Sequence, residues 1–148
     1  MESLDTLEAT TTLLLELLEE GEFREGPSAG LVLQAYLRDS PAQLERVLRW
    51  AERSERTPPP VVRLLKGAYW DHEFVEARHH GWAAPVFEHK PDCDRNLTRR
   101  LLEARPLVRV AIGSHNLRSV SYAIAYERLL GEGDGGELEL HAGAARPR

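Results

Sequence analysis

The chain has 148 residues, a formal net charge of −5 and 42% apolar residues, values that are ordinary for one soluble globular domain. Its acidic balance, without a basic stripe, argues against nucleic acid as the main partner. The single cysteine, Cys93, excludes an internal disulfide and a multi-cysteine zinc site, and it fits a reducing, cytoplasmic compartment. No apolar stretch approaches the roughly 20 residues that a membrane-spanning helix needs.

The first part of the chain predicts a helix, a strand and a second helix. Leucines at helical spacing over residues 3–20 predict a helix that ends at Gly21, and a loop rich in glycine follows. The apolar run "LVLQAYL" at 31–37 is typical of a strand covered on both faces. A second helix is predicted from Asp39 or Ser40 to about residue 55, because the following "TPPP" cannot continue it.

The rest of the chain continues the alternation of strands and helices. The predicted elements are a strand at 61–70, a helix at 71–80, a short strand or extended segment at 84–90, a helix from Asp92 or Asp94 to Leu102, a strand at 107–116, a helix at 119–130 and the start of a fifth strand at 137–141. Such alternation indicates parallel βαβ units. A glycine-rich fingerprint for dinucleotides is absent, which argues against a nucleotide-binding doubly wound sheet.

Polar and aromatic residues gather at the carboxyl ends of the predicted strands. In a (βα)8 barrel this rim is where ligands bind. A whole barrel takes roughly 250 residues, so the pattern predicts an α/β fold that is a partial (βα)8 barrel, with about four to five of the eight βα units. The residues at the strand ends are Gln34, Tyr36, Lys66, Tyr69, Trp70, His89, Lys90, Ser114, His115 and Asn116.

Two cations in the strand at 61–70 leave two interpretations open. Arg63 and Lys66 are three residues apart, so they are expected to face opposite sides of the strand. In the structural interpretation one reaches solvent while the other pairs with an acid; in the functional one a buried cation meets an electron-rich ligand in the barrel lumen. Gly67-Ala68 would permit close approach of a planar, partly anionic ring. Tyr69-Trp70 would either contact that ring or close the barrel mouth.

The segment "SHN" at 114–116 places a hydroxyl, an imidazole and an amide at one strand end. No metal site is predicted, since His115 has no second ligand at a known spacing. Cys93 has no evident base beside it, and no serine lies in a nucleophile elbow. These residues indicate a polar ligand site on a barrel rim, but by themselves they do not specify a reaction.

Four motifs in order resemble the FAD-dependent proline dehydrogenase family, which includes the barrel of the bifunctional proline utilisation A proteins. They are "GLVLQAYLRDS" (30–40), "VRLLKGAYWDHE" (62–73), "PVFEHKPDCD" (85–94) and "AIGSHNLRS" (111–119). The resemblance implies a distorted (βα)8 barrel with FAD at its rim, and hydride transfer from L-proline to flavin N5 that gives 1-pyrroline-5-carboxylate. It also implies a membrane quinone as electron acceptor, reached peripherally. Residues 1–148 would form a partial proline dehydrogenase domain, with core motifs in 30–130 and a divergent or disordered tail at 131–148.

The resemblance also implies roles for individual residues. Arg63 matches an arginine near flavin N5, where a fixed cation would stabilise the negative charge of the reduced flavin. Arg63 and Tyr69 are the residues it implies in catalysis. The cofactor contacts it implies are Val32, Gln34, Arg63, Lys66, Gly67, Ala68, Tyr69, Trp70, Lys90, Ser114, His115 and Asn116.

The chain also departs from the family pattern. The early strand with a catalytic lysine, the substrate aspartate, the late tyrosine strand and the paired arginines that hold the proline carboxylate have no match here. The sequence is therefore expected to be a fragment that is inactive alone, poorly soluble or oligomeric, and weak in flavin retention unless another chain complements it. Two alternatives stay open: a non-catalytic remnant that only packs with another chain, and a different (βα)8 enzyme that uses the rim for phosphate substrates.

Overall fold

Six helices and four strands make up the part of the chain that is described by a computed structural model, and at least one helix separates each strand from the next. Its backbone is described for residues 4–26, 28–54, 56–67, 70–87, 90–131 and 139–141. The elements are α1 (Leu4–Glu19), α2 (Gly21–Arg24), β1 (Gly30–Gln34), α3 (Ser40–Ser54), β2 (Val61–Leu65), α4 (Trp70–His80), α5 (Lys90–Glu103), β3 (Arg109–Gly113), α6 (Leu117–Leu130) and β4 (Glu139–His141).

The four strands form one parallel sheet whose spatial order, β1-β2-β3-β4, is the same as their order in the chain. In a doubly wound sheet the spatial order of the strands reverses at a switch point, whereas consecutive strands of a βα barrel lie next to one another in chain order. The predicted α/β class is therefore confirmed. The start of a fifth strand predicted at 137–141 is confirmed for residues 139–141, which form β4 and pair with β3, whereas residues 137 and 138 lie outside the described residues.

The main apolar core lies between one face of the sheet and the helices. Alternate strand residues point to this face, and Leu33, Val62, Leu64, Val110 and Ile112 are all buried in it. Helix α3 adds its predicted apolar stripe, and α1 and α5 add leucines. The predicted stripe of α3 is thus confirmed, because Leu44, Val47, Leu48 and Ala51 are all buried in this core. The stripe of α1 is only partly confirmed, since Leu17 is exposed.

Two predicted boundaries near β1 were wrong. Gly21 begins the four-residue helix α2 instead of a loop. The strand expected to run to residue 37 ends at Gln34: the Ala35 N–H still donates to the Leu65 carbonyl, but the chain turns at Ala35 and Tyr36, and the Ser40 hydroxyl donates a hydrogen bond to the Gln34 carbonyl. The strand is also not covered on both faces, because Val32 is only half-buried.

The segment at 84–90, predicted as a short strand or extended segment, does not join the described sheet. Val86 makes only an isolated antiparallel bridge with Leu37, and residues 88 and 89 lie outside the described residues. The segment instead pairs with the turn after β1, through Phe87 N–H to the Tyr36 carbonyl at 2.8 Å and Arg38 N–H to the Pro85 carbonyl at 2.9 Å. The described sheet therefore has four strands, and two helices separate β2 from β3.

An ion pair that joins α3 to α5 predicts acid sensitivity. Arg100 donates to both carboxylate oxygens of Glu45, at 2.6 and 3.0 Å, and this contact lowers the pKa of Glu45. A lowered folded-state pKa means that the stabilisation is present at neutral pH and is lost as the pH falls through the carboxyl range. Glu45→Gln should therefore reduce stability at neutral pH by up to about 1 kcal/mol, since the pair is partly exposed. Urea unfolding at neutral pH and at about pH 4 checks this. The prediction is contradicted if the difference in free energy of unfolding between the wild type and Glu45→Gln does not shrink at the lower pH.

Candidate functional site

Alternate residues of β1, β2 and β3 point away from the helices and form what we call the open face of the sheet. Val32, Arg63 and Ala111 are partners in the register of the three strands, so their side chains lie side by side on this face. The structure thus brings together Val32, Gln34 and Arg63, three residues that the sequence assigned to the cofactor. The open face consists of Val32 and Gln34, Arg63 and Leu65, and Ala111 and Gly113.

Arg63 lies across the open face next to Gly113. A Cβ atom built on Gly113 would be 2.3 Å from Cδ2 of Leu65 and 3.2 Å from the Arg63 Nε atom, so the absence of a side chain there makes room for Leu65 and, beside it, for the guanidinium. Arg63 is exposed, which agrees with the structural interpretation and not with the buried cation of the functional one. The helices of the main core cover the other face of the sheet. Gly113 was not predicted as a site residue, although it directly precedes the "SHN" segment.

Gln34 is the buried polar residue of the open face. Its side chain is on β1, is only 8% exposed, and its Oε1 atom has no hydrogen-bond partner among the described residues. An unsatisfied buried acceptor is unfavourable, so it requires an explanation in a folded protein. A ligand on the open face that offers a hydrogen-bond donor would satisfy this atom.

Gly67, directly after Lys66, packs against an aromatic ring. Its φ of +117° is one that side chains rarely adopt, and a Cβ atom would lie 1.7 Å from Cδ1 of the buried Tyr36. The group that approaches the Gly67 backbone in this structure is Tyr36, and the approach of a ligand ring stays a prediction. Ala68 and Tyr69 lie outside the described residues.

Trp70 begins α4 and is held by a second apolar cluster. Its ring stacks on Phe74 with centroids 5.1 Å apart, and its indole N–H donates to the Phe87 carbonyl at 2.9 Å. The cluster joins α1, the turn after β1, α4 and the segment before α5. Trp70 therefore links these segments at the carboxyl edge of the sheet, and its contact with a cofactor stays a prediction.

A cleft of about 350 Å³ lies beyond the carboxyl ends of β2 and β3, between α5 and α6, and we call it the rim cleft. Lys66 leaves the sheet on the side of the helices, whereas Arg63 lies on the open face, so the two cations do face different sides as predicted. Lys66 Nζ is 3.7 Å from Asp94 Oδ2, an ion pair of the kind that the structural interpretation foresaw. The lining of the cleft includes Lys66, Asp94, Arg95, Asn116, Arg118 and Ser119.

The "SHN" segment connects β3 to α6. Asn116 caps α6, since its Oδ1 accepts a hydrogen bond from Arg118 N–H at 3.0 Å, and its own N–H donates to the Ser114 hydroxyl at 3.1 Å. His115 is exposed. The three residues lie at the same edge as Lys66, as predicted, and the capping geometry gives Asn116 a structural role that the sequence did not suggest.

Helix α5 contributes residues whose roles the sequence did not predict. It begins at Lys90 rather than at Asp92 or Asp94, and the Lys90 side chain lies outside the described residues. Asp94, expected only to open the helix, is instead a buried carboxylate in the rim cleft. Burial, and then the neighbouring aspartates, raise the pKa of the Cys93 thiol, which leaves it protonated and a poor nucleophile at neutral pH.

The described ranges contain neither a helix able to cross a membrane nor a metal-binding cluster. No helix there combines the length and apolar character that crossing a membrane requires. Nor do those residues contain a group of three or more His, Cys, Asp or Glu side chains arranged to hold a metal ion.

Comparison with known proteins identifies the family. The profile of the proline dehydrogenase family matches residues 1–142. This chain belongs to the proline dehydrogenase family. Similar members include the bifunctional protein PutA of Salmonella typhimurium (strain LT2), which is 32% identical over 124 residues, or 81% of this chain and 9% of that protein. PutA of Rhizobium meliloti is 39% identical over 94 residues, or 63% of this chain and 8% of that protein.

The fold agrees with that of solved members of the proline dehydrogenase family. The crystal structure of proline utilization A from Bdellovibrio bacteriovorus, inactivated by N-propargylglycine, matches with a TM-score of 0.80 at 37% identity. The match covers 88% of this chain and 14% of that one. The chain therefore spans less than a tenth of the curated relatives described above, and it corresponds to one part of their proline dehydrogenase region.

Proposed function

We propose that this chain forms part of an FAD-dependent proline dehydrogenase site, which oxidises L-proline to 1-pyrroline-5-carboxylate. The proline dehydrogenase family is generally flavin-dependent, and the chain matches the family profile over residues 1–142. The observation that carries the proposal is the placement of Val32, Gln34 and Arg63 together on the open face. These residues come from two different motifs, and they meet only because β1 and β2 pair in this register.

The residues of the open face fit a flavin ring. The unpaired Oε1 atom of Gln34 is a buried acceptor that faces the same side as the Arg63 guanidinium. Arg63 carries a permanent charge and several donors in a planar fork, and Gly113 leaves space beside it. A planar group with both donors and acceptors and with an electron-rich centre satisfies both side chains at once.

The chemistry that FAD supplies when bound is a two-electron oxidation, in which the proline ring carbon next to nitrogen gives up a hydride and the ring nitrogen loses a proton, leaving a C=N double bond. The role of Arg63 is electrostatic: a fixed cation on the open face stabilises negative charge that develops beside it. Gln34 orients the bound ring through its amide. Gly67 packs against the ring of Tyr36, which holds the end of β2 next to the turn after β1.

The residues of the rim are proposed to hold the rest of the cofactor. Lys66 and Lys90 would contact its phosphate groups, and the "SHN" segment would contact it from the end of β3. Lys66 and Asn116 share the rim cleft, which supports placing both against one ligand. Ala68, Tyr69 and Trp70 complete the proposed contacts, with Tyr69 also in catalysis.

The proposal extends to the architecture and the setting of the site. The sequential parallel order of the four strands supports an arc of a (βα)8 barrel, in which the open face would line the lumen. A membrane quinone as electron acceptor, and a cytoplasmic location with peripheral contact to a membrane, belong to the same proposal.

A chimera tests the proposed function. Residues 1–142 replace the matching segment of Salmonella typhimurium PutA, so that the other parts of the site are supplied by that protein. We expect the purified chimera to hold FAD and to reduce a dye when L-proline is added, because the chain's residues are proposed to complete the site. A folded chimera that binds no flavin, or whose flavin is not reduced by proline, contradicts the proposal.

The full chain without the PutA context is the control for the chimera. We expect weak FAD binding and no turnover, since Arg63 is exposed to water and its charge is therefore screened. A monomeric, yellow chain that oxidises proline by itself would overturn the expectation that other segments are needed. Flavin absorbance and gel filtration of the same sample decide this.

A further inference from the structure

Asp94 is a buried carboxylate that connects three elements around the rim cleft. Asp94 is only 8% exposed and lies in the early part of α5. The Ser119 hydroxyl, in the first turn of α6, donates a hydrogen bond to Asp94 Oδ2 at 2.5 Å. The Nζ atom of Lys66, directly after β2, is 3.7 Å from the same oxygen. One carboxylate oxygen thus joins the end of β2 to two helices.

The two contacts of Asp94 differ in kind. The short bond from Ser119 fixes the position of the carboxylate, and the amino end of α6 favours negative charge there. The distance to Lys66 is too long for a hydrogen bond, so the ion pair orients the ammonium without using its donors. Lys66 is 28% exposed in its side chain, so those donors remain accessible from the cleft.

We propose that Asp94 is a positioning residue that holds Lys66 in the rim cleft, with its hydrogen-bond donors directed to a ligand. The ligand part of this inference rests on the proposed function above, because it takes the cofactor phosphates as the group that Lys66 meets. The positioning part rests on the geometry alone. Without the Asp94 charge, the long Lys66 side chain has no described anionic partner and is expected to move out into solvent.

Chemical labelling of lysine tests the positioning. The chain has two lysines, Lys66 and Lys90, so the acetylation rate of Lys66 can be followed by mass spectrometry of the full chain. Asp94→Asn keeps the shape and can still accept the Ser119 bond, but it removes the charge. We expect the Lys66 rate to rise about threefold, the size expected for the loss of a partly exposed ion pair.

Glu103→Gln is the matched control for the labelling, because Glu103 also joins α5 to α6 through a hydrogen bond from Tyr126, away from Lys66. It should leave the Lys66 rate unchanged. An unchanged rate in Asp94→Asn, or an equal rise in Glu103→Gln, overturns the positioning role. Should Asp94→Asn fail to fold, Ser119→Ala takes its place, and no rise there overturns the proposal as well.

Flavin binding separates this inference from the proposed function. Asp94→Asn is expected to weaken binding of FAD by about threefold and to leave riboflavin, which has no phosphate, unaffected. Equal loss of both ligands would indicate a merely structural role and overturn the ligand part. If neither the wild-type chain nor the chimera binds any flavin, the proposed function fails, and the labelling result still decides the role of Asp94.

Discussion

Gly67→Ala is expected to lower the free energy of unfolding of the chain by about 3 kcal/mol, with contributions from backbone strain and overpacking. The backbone of Gly67 has a φ of +117°, which an alanine adopts only with strain. The added methyl group would also lie 1.7 Å from the ring of Tyr36, which is 1% exposed and cannot move into free space. Either the turn after β1 or the end of β2 must therefore shift.

Gly81→Ala is the matched control for this substitution. Gly81 also has a positive φ, of +68°, but a Cβ atom there meets nothing within 4 Å. Its replacement by alanine therefore tests backbone strain without a side-chain clash, and should lower the free energy of unfolding by about 1 kcal/mol. Urea unfolding followed by tryptophan fluorescence measures both variants. Equal losses would show that the contact with Tyr36 contributes nothing, which contradicts the packing inferred for Gly67.

The Gly67 contact illustrates which parts of the fold the sequence could predict. The helices were predicted from apolar spacing, and α3 and α4 agree closely because proline or glycine marks their ends. The register of the sheet was not predictable, since it depends on pairing between segments about 30 or more residues apart. The choice between a strand and an extended segment at 84–90 stayed open for a related reason: an apolar run does not specify its partner, and here that partner is a turn.

The candidate site also has some residues that the sequence could predict and others that it could not. Residues at strand ends, such as Lys66 and Asn116, were predictable because parallel strands bring their carboxyl ends to one edge. The place of Arg63 followed from strand alternation, whereas its exposure did not, because exposure depends on which elements cover the open face. Asp94 was hidden from the sequence, since a buried carboxylate in a helix is recognised only through the partners that surround it.

Arg63→Met in the chimera is expected to reduce the rate of proline oxidation by about 100-fold or more, the effect of removing one preorganised electrostatic group. Methionine is unbranched and apolar like the aliphatic part of arginine, so the substitution removes the permanent charge while the side chain still covers part of the sheet. Arg63→Lys restores a cation but not the planar fork, and should recover only part of the rate. Stopped-flow measurement of flavin reduction by L-proline separates this step from the later transfer of electrons to the acceptor.

Arg109→Met provides the control that makes the Arg63 result specific. Arg109 lies on the same side of the sheet at the opposite, amino-terminal end of β3, where it donates to the Ser28 hydroxyl at 3.2 Å. A general effect of charge on the sheet would slow both variants alike, because long-range electrostatic effects depend little on which of two neighbouring arginines is lost. A local role at the carboxyl end requires Arg63→Met to be slow and Arg109→Met to be near wild type. If Arg63→Met reduces flavin as fast as the unmodified chimera, the guanidinium does not act on the reaction, and the site proposed on the open face is wrong.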